Sequence, residues 1–146
     1  MKKIALFLFS VLILSSCSLD DEGPSLGYKY SKVMETNLPE SFEKGKSYTI
    51  KITYLLPDAC HTPSGIEARR GNTTGDQRRD IYIVGISQYD TTLKECTKES
   101  DNLKKEASFS LLIDENEPYT FYLWDGYDAD GKSKYILVEV PVLPVG

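Results

Sequence analysis

Tyr48, Ile50, Ile52 and Tyr54 alternate with Ser47, Thr49, Lys51 and Thr53. Successive side chains of a strand point to opposite faces, so this period of two marks an extended segment with one dry face and one wet face. The pattern recurs. Phe109, Leu111 and Ile113 alternate with Ser108, Ser110 and Leu112, and Tyr119, Phe121 and Leu123 with Thr120, Tyr122 and Trp124. Ile136, Val138, Val140 and Val142 continue it to the end of the chain. Ile81 to Ile86 is apolar at almost every position, which predicts a central strand, with Gly85 as a bulge. Tyr28 to Glu35 and Ser64 to Arg70 are weaker strand candidates. No stretch of about 12 residues carries a helical stripe, and only Lys98 to Lys105 suits a short polar helix. Turn residues separate the runs at 43–46, 71–76, 114–118 and 128–131. About seven short strands at this spacing predict an all-β chain, an antiparallel β-sandwich.

The N-terminus constrains location. Met1-Lys2-Lys3 precedes an apolar run from Ile4 to Leu14 broken only by Ser10. As a helix that run reaches roughly 16 Å, about half of a ~30 Å hydrocarbon core, which suits a signal peptide over residues 1–16 and not a membrane span. Leu14-Ser15-Ser16-Cys17 resembles the bacterial lipobox, in which an apolar residue and two small ones precede the cysteine that receives lipid. The resemblance implies lipidation of Cys17 and a membrane partner reached through that anchor. Asp20, Asp21 and Glu22 follow, and this acidic run resembles the export signal of Bacteroidetes surface lipoproteins. Residues 17–27 also read as a flexible tether, because Gly23, Pro24, Ser25 and Gly27 are in it. Residues 28–146 are then the sandwich domain, long enough for a core of its own.

Lys+Arg 17 against Asp+Glu 22 gives a net charge of −5. Loss of Lys2 and Lys3 with the signal leaves 15 against 22, or −7. That balance argues against nucleic acid, which calls for a basic face. With Cys17 taken by lipid, Cys60 and Cys96 remain, and an even pair in an exported chain predicts one disulfide. A loop of that size is worth roughly 4 kcal/mol in the chain-entropy picture. The alternative is a metal pair of Cys60 with His61, the one histidine. Adjacent strand residues face opposite ways and chelate poorly. His61 then reads as a surface or turn residue, and no metal or cofactor is expected.

Asn116-Glu117-Pro118-Tyr119-Thr120-Phe121 resembles the turn into strand F of immunoglobulin-like domains. There a tyrosine hydroxyl bonds back across the corner, two residues before a core position. The resemblance implies that Tyr119 is that tyrosine and Phe121 a core residue. Cys60 and Cys96 do not sit at the usual strand B and F positions, so the implied fold is Ig-like only. Over most of the chain, the pattern also resembles small flavobacterial lipoproteins, through Tyr54, Pro57-Asp58-Ala59-Cys60-His61, Arg70-Gly71-Asn72-Thr73 and Tyr119 to Gly126. That likeness implies location and fold and carries no activity.

Four features bear on chemistry. Asp125, Asp128 and Asp130 with Gly126 and Gly131 suggest a calcium loop, in which carboxylates two residues apart, as Asp128 and Asp130 are, combine with a glycine at the sharp turn. An EF-hand register fails, however, since its first and twelfth positions fall on Gly126 and Leu137, and a hairpin closed at Asp130-Gly131 fits better. Arg69, Arg70, Arg78 and Arg79 flank residues 71–77. In a hairpin they would gather at its neck and suit an anionic ligand, unless Glu67, Asp76 or Asp80 pairs with them. Tyr122, Trp124 and Tyr127 would form an aromatic platform for a sugar or peptide if their face of the sheet is open; otherwise Trp124 is core. Asp90-Thr91-Thr92 matches a short Bacteroidetes O-glycosylation motif, a pattern three residues long. Asn72-Thr73-Thr74 fits the eukaryotic N-linked sequon. No Gly-x-Ser-x-Gly elbow, His-Glu-x-x-His or phosphate loop is in the sequence, and no catalytic residue is singled out. The expectation is an outer-membrane, surface-exposed lipoprotein acting as a binding or structural module toward a glycan or protein. The alternative is a secreted or periplasmic hydrolase, or an accessory subunit of a glycan-processing system.

Overall fold

The structure is a computed structural model that describes residues 23–96 and 102–144. The signal segment, Cys17 and the run Asp20-Asp21-Glu22 lie outside the described residues. The strands are β1 (Leu26–Thr36), β2 (Phe42–Glu43), β3 (Ser47–Leu55), β4 (His61–Arg70), β5 (Asp80–Asp90), β6 (Lys104–Leu112), β7 (Tyr119–Tyr127), β8 (Ser133–Val140) and β9 (Val142–Leu143). The one helical turn among the described residues is a 3-10 segment at Asp76–Arg79. The described residues form an all-β sandwich, and the alternating runs named above lie in its strands, the last of them divided between β8 and β9. β1 begins at Leu26, so the sandwich takes in two residues expected to belong to the tether.

One layer is β6, β3 and the second half of β1; the other is β4, β5, β7 and β8. β1 joins them by changing partner midway. Leu26 to Ser31 pair with β5, Lys32 to Thr36 with β3, and a bulge falls between Val33 and Glu35. The sheet is mixed: β7 lies parallel to β5, from Asp80 opposite Thr120 to Ile83 opposite Leu123. The parallel pair exists because the β4–β5 hairpin presents β5, not β4, to β7, and the intervening β6 lies in the opposite layer. β2 and β9 form a second, two-stranded parallel sheet. It arises because Pro141, which has no N–H to donate, interrupts the final apolar run, and its carbonyl instead accepts the Phe42 N–H at 2.8 Å.

The inward residues of the two layers meet as designed by the alternation. Ile50 and Ile52 of β3 and Leu111 of β6 pack with Ile81 and Ile83 of β5 and Phe121 and Leu123 of β7. Each fully buried side chain of this size stabilises the fold by roughly 1.5–3 kcal/mol. Phe42, Tyr48, Tyr119 and Phe121 close one end, with ring centroids of Phe42 4.8 Å from Tyr48 and 5.9 Å from Tyr119. The Tyr119 ring is fully buried, and its hydroxyl donates to Asp114 Oδ1 at 2.7 Å and accepts the N–H groups of Asp114 (3.1 Å) and Glu115 (3.3 Å). The hydroxyl expected to bond back across the corner at Tyr119 does so.

Three local expectations are corrected. Gly85 is not a bulge: it pairs in register with Ser31 and Ile66, and a Cβ there would fall 2.6 Å from the Tyr54 ring. The glycine allows a ring of the opposite layer to lie against the β5 backbone. Lys104 and Lys105 open β6 instead of ending a helix, because Leu55 and Tyr54 pair with them; residues 98–101 of the predicted helix lie outside the described residues. His61 is buried, not at the surface. It opens β4, its Nδ1 lies 2.7 Å from Asp58 Oδ1, and its ring packs on Tyr89 at 4.9 Å.

Candidate functional site

Because Phe121 and Leu123 point into the sandwich, Tyr122 and Trp124 point out of it, on the exposed side of the β4–β5–β7–β8 layer. The register decides their neighbours. Tyr82 stands opposite Tyr122, and Tyr135 opposite Trp124. Tyr82 and Tyr122 stack with centroids 4.4 Å apart and planes 11° from parallel, and Tyr135 meets Tyr82 edge-on at 5.5 Å. From β1, Tyr30 meets Trp124 edge-on at 5.6 Å, and Tyr127 meets it from the other side at 5.1 Å. Trp124 is therefore only 6% exposed although it is not part of the core between the layers, whereas Tyr127 is 58% exposed. Its indole N–H donates to Ser133 Oγ at 3.1 Å.

Tyr122, Trp124 and Tyr127 are thus brought together, and Tyr30, Tyr82 and Tyr135 join them. The sequence carried the signal for Tyr82. Within the apolar run of β5, Ile81 and Ile83 share one phase and Tyr82 and Val84 the other. Tyr30 was out of reach because the partner exchange of β1 is not written in its local pattern. Polar groups border the aromatics. Arg69 and Glu67, neighbours on the same face of β4, pair at 3.3 Å. The Arg69 guanidinium carbon lies 4.9 Å from the Tyr82 ring centroid, on a cation–π contact. Asp125 holds Lys32 at 2.5 Å and Lys134 at 3.6 Å. The hydrogen bond from Lys32, with the charges of both lysines, holds the Asp125 carboxyl below the usual range. Burial raises the Tyr122 phenol, helped by the charge of Asp80.

The four arginines do not gather. Strand alternation sends Arg69 to the aromatic face and Arg70 to the other, so the expected single cluster is split. Arg70 pairs with Asp114 (3.2 Å) and donates to the Arg78 carbonyl (2.7 Å). Arg78 bridges Asp114 (2.5 Å) and Glu115 (3.0 Å), and Arg79 bridges Asp76 (3.1 Å) and Glu117 (2.8 Å). Among the described residues, this patch sets three guanidinium groups against four carboxylates. It fastens the β4–β5 hairpin to the β6–β7 loop, and it offers an anion no excess positive charge. The partners Asp114, Glu115 and Glu117 come from the loop at the tyrosine corner. Burial pulls the Asp114 carboxyl upward, but the Tyr119 hydroxyl, Arg70 and Arg78 outweigh it and leave it below the ordinary value. Tyr119 is raised, by burial first and by the Asp114 carboxylate second.

The acidic loop is a hairpin. Asp128 Oδ1 accepts the N–H groups of Asp130 and Lys132, both at 2.9 Å, and Gly131 takes the left-handed turn position at φ 77°. Asp125 is committed to its two lysines, so these aspartates do not converge as calcium ligands. Cys60 and Cys96 form the expected disulfide, with Cα atoms 5.6 Å apart. Asp58 lies near that bridge, but both sulfurs are spent on each other and cannot serve as thiolate ligands. Asp90 Oδ1 accepts from the Thr92 hydroxyl at 2.6 Å and its N–H at 2.8 Å, and Thr91 is bonded to the Ser25 carbonyl at 2.9 Å. No helix among the described residues is long and apolar enough to cross a membrane. No family model, no curated protein and no solved structure matches the chain.

Proposed function

We propose that the chain is a lipid-anchored outer-membrane protein, displayed at the cell surface, that binds its ligand on the exposed aromatic face of the β4–β5–β7–β8 layer. The observation that carries the reading is the concentration there of Tyr30, Tyr82, Tyr122, Trp124, Tyr127 and Tyr135. A β-sandwich needs one buried face per sheet, and the other is ordinarily polar. Placing six aromatic rings on the outer side contributes nothing to the core between the layers, and an aromatic outer face of this size marks an interaction site. Anchoring is supported by the lipobox-like Leu14-Ser15-Ser16-Cys17, and display by Asp20-Asp21-Glu22. A tether of residues 17–25 would span at most ~30 Å, which would hold the domain close to the membrane. The reading is a binding module and not a hydrolase. The carboxylates that lie in clefts, Glu67, Asp76, Glu115 and Glu117, each hold an arginine and are not presented as an acid–base pair.

The test is a glycan and peptide array probed with the detergent-solubilised full chain and its Tyr122→Ser and Arg78→Ser variants. Retention should fall at least about fivefold for Tyr122→Ser, since loss of a stacking ring costs ~1–3 kcal/mol. Arg78→Ser, which lies in the ion-pair patch, should bind like the wild type. Equal retention of Tyr122→Ser and wild type refutes the assignment of the face.

A further inference from the structure

We propose that a cleft in the aromatic face is a recognition site for a compact organic cation, an ammonium or guanidinium group, and that Arg69 occupies it as an internal stand-in. This deepens the proposed binding role and rests on it. The cleft is lined by Tyr30, Glu67, Arg69, Tyr82, Trp124 and Tyr135 and has a volume of about 50 Å³. One water needs roughly 10–15 Å³ on that scale, so there is room for a group of a few heavy atoms, the size of a trimethylammonium head. That space lies beside Arg69, and departure of the guanidinium would enlarge it by the size of the group that leaves, again a compact cation.

Chemistry points the same way. Aromatic rings attract cations over their faces, and rings assembled around a carboxylate are how proteins hold alkylated ammonium groups. Here the carboxylate is Glu67. The site already holds a cation: one face of Tyr82 is covered by Tyr122 in the 4.4 Å stack, and the Arg69 guanidinium lies 4.9 Å from its ring centroid while Nε contacts Glu67 at 3.3 Å. Arg69 is weakly held. Its side chain and that of Glu67 are about half exposed, at 56% and 48%, and an exposed pair made through Nε alone, without the bidentate fork, is easily exchanged. An incoming cation would take over the Tyr82 face and the Glu67 carboxylate, and Arg69 would swing into solvent. No charge is created or lost in that exchange.

Trp124 is the single tryptophan of the chain and lines the cleft, so its fluorescence reports occupancy directly. The detergent-solubilised full chain is titrated with tetramethylammonium, choline, lysine methylamide and arginine methylamide against sodium chloride at constant ionic strength. A saturable change with the organic cations and none with sodium is expected. Choline ahead of the amino-acid amides identifies a quaternary headgroup as the source, and the reverse order a basic side chain. Arg69→Ala, which removes the internal competitor, should tighten binding several-fold, and Glu67→Gln should weaken it about threefold to thirtyfold. Both positions are exposed, and an unchanged melting temperature confirms that the variants are folded. The absence of a saturable change with every organic cation overturns the inference, as does Arg69→Ala binding more weakly than wild type. If the cations fail while Tyr122→Ser still loses retention on the array, the binding face stands and only the cation site falls.

Discussion

Tyr119→Phe isolates a single oxygen atom. The ring is fully buried among Phe42 and Phe121, and phenylalanine fills the same space, so packing is conserved. What leaves is the hydroxyl that donates to Asp114 and accepts the N–H groups of Asp114 and Glu115. Two backbone donors lose their partner. A buried N–H left unsatisfied costs ~1–3 kcal/mol, and since this corner is only partly buried, water reaches it and the lower end applies. The expected loss is about 2 kcal/mol. In a domain of this size a kilocalorie moves the melting temperature by roughly 3–5 °C, so thermal unfolding should begin ~6–10 °C lower. Urea unfolding should show a lower midpoint with an unchanged slope, because the exposed area is the same. Acid supplies a second reading. Asp114 has a depressed carboxyl in the folded state, so its contribution is full above the ordinary carboxylate range and disappears as pH falls through the folded value. The hydroxyl is one of the groups that depresses it, and the gap between wild type and variant should narrow below roughly pH 4. A loss under ~0.5 kcal/mol at pH 7, or a gap that widens in acid, would refute the account of the corner.

Thiol counting on the denatured, unreduced chain, with Cys17 lipidated, should find no free thiol; two would disprove the Cys60–Cys96 bridge. Gly85→Ala should destabilise by ~1–3 kcal/mol through overpacking against Tyr54, measured by urea unfolding, whereas a neutral result would mean the two layers separate easily there. Cys17→Ser should abolish palmitate labelling and release the protein from membranes, and changing Asp20, Asp21 and Glu22 to alanine should preserve labelling but protect the protein from protease added to whole cells. Palmitate incorporation into Cys17→Ser would end the lipoprotein reading, and equal shaving of the acidic-run variant would reduce that run to a tether.

The strands were legible because each has one dry face, and period two survives without knowledge of its partner. Ile50 and Ile52, or Phe121 and Leu123, announce their inward phase in a few residues. Pairing was less legible. That β1 changes layers at the bulge after Val33, and that β5 meets β7 in parallel, depends on which edges remain free once the hairpins have formed. His61 misled for a related reason. A polar side chain beside a turn reads as exposed, but the Asp58 carboxylate and the Tyr89 ring allow it to be buried. At the site, Tyr122 and Trp124 were recognisable from their opposition to Phe121 and Leu123, while Tyr30, Tyr82 and Tyr135 joined them only through lateral register. The arginines show the converse. Sequence proximity suggested one cationic cluster, but alternation separated Arg69 from Arg70, and carboxylates more than 30 residues downstream neutralised Arg78 and Arg79.

The most direct test of the binding face is hydroxyl-radical footprinting of the protein on living cells and of the same protein purified in detergent. Tyr122 and Tyr127, with Tyr30 beside them, should be protected on cells wherever ligand covers the β4–β5–β7–β8 layer, while Tyr48, on the opposite layer, should be labelled alike in both states. Protection of Tyr48 with equal labelling of Tyr122 and Tyr127 would place the interaction elsewhere and contradict the account.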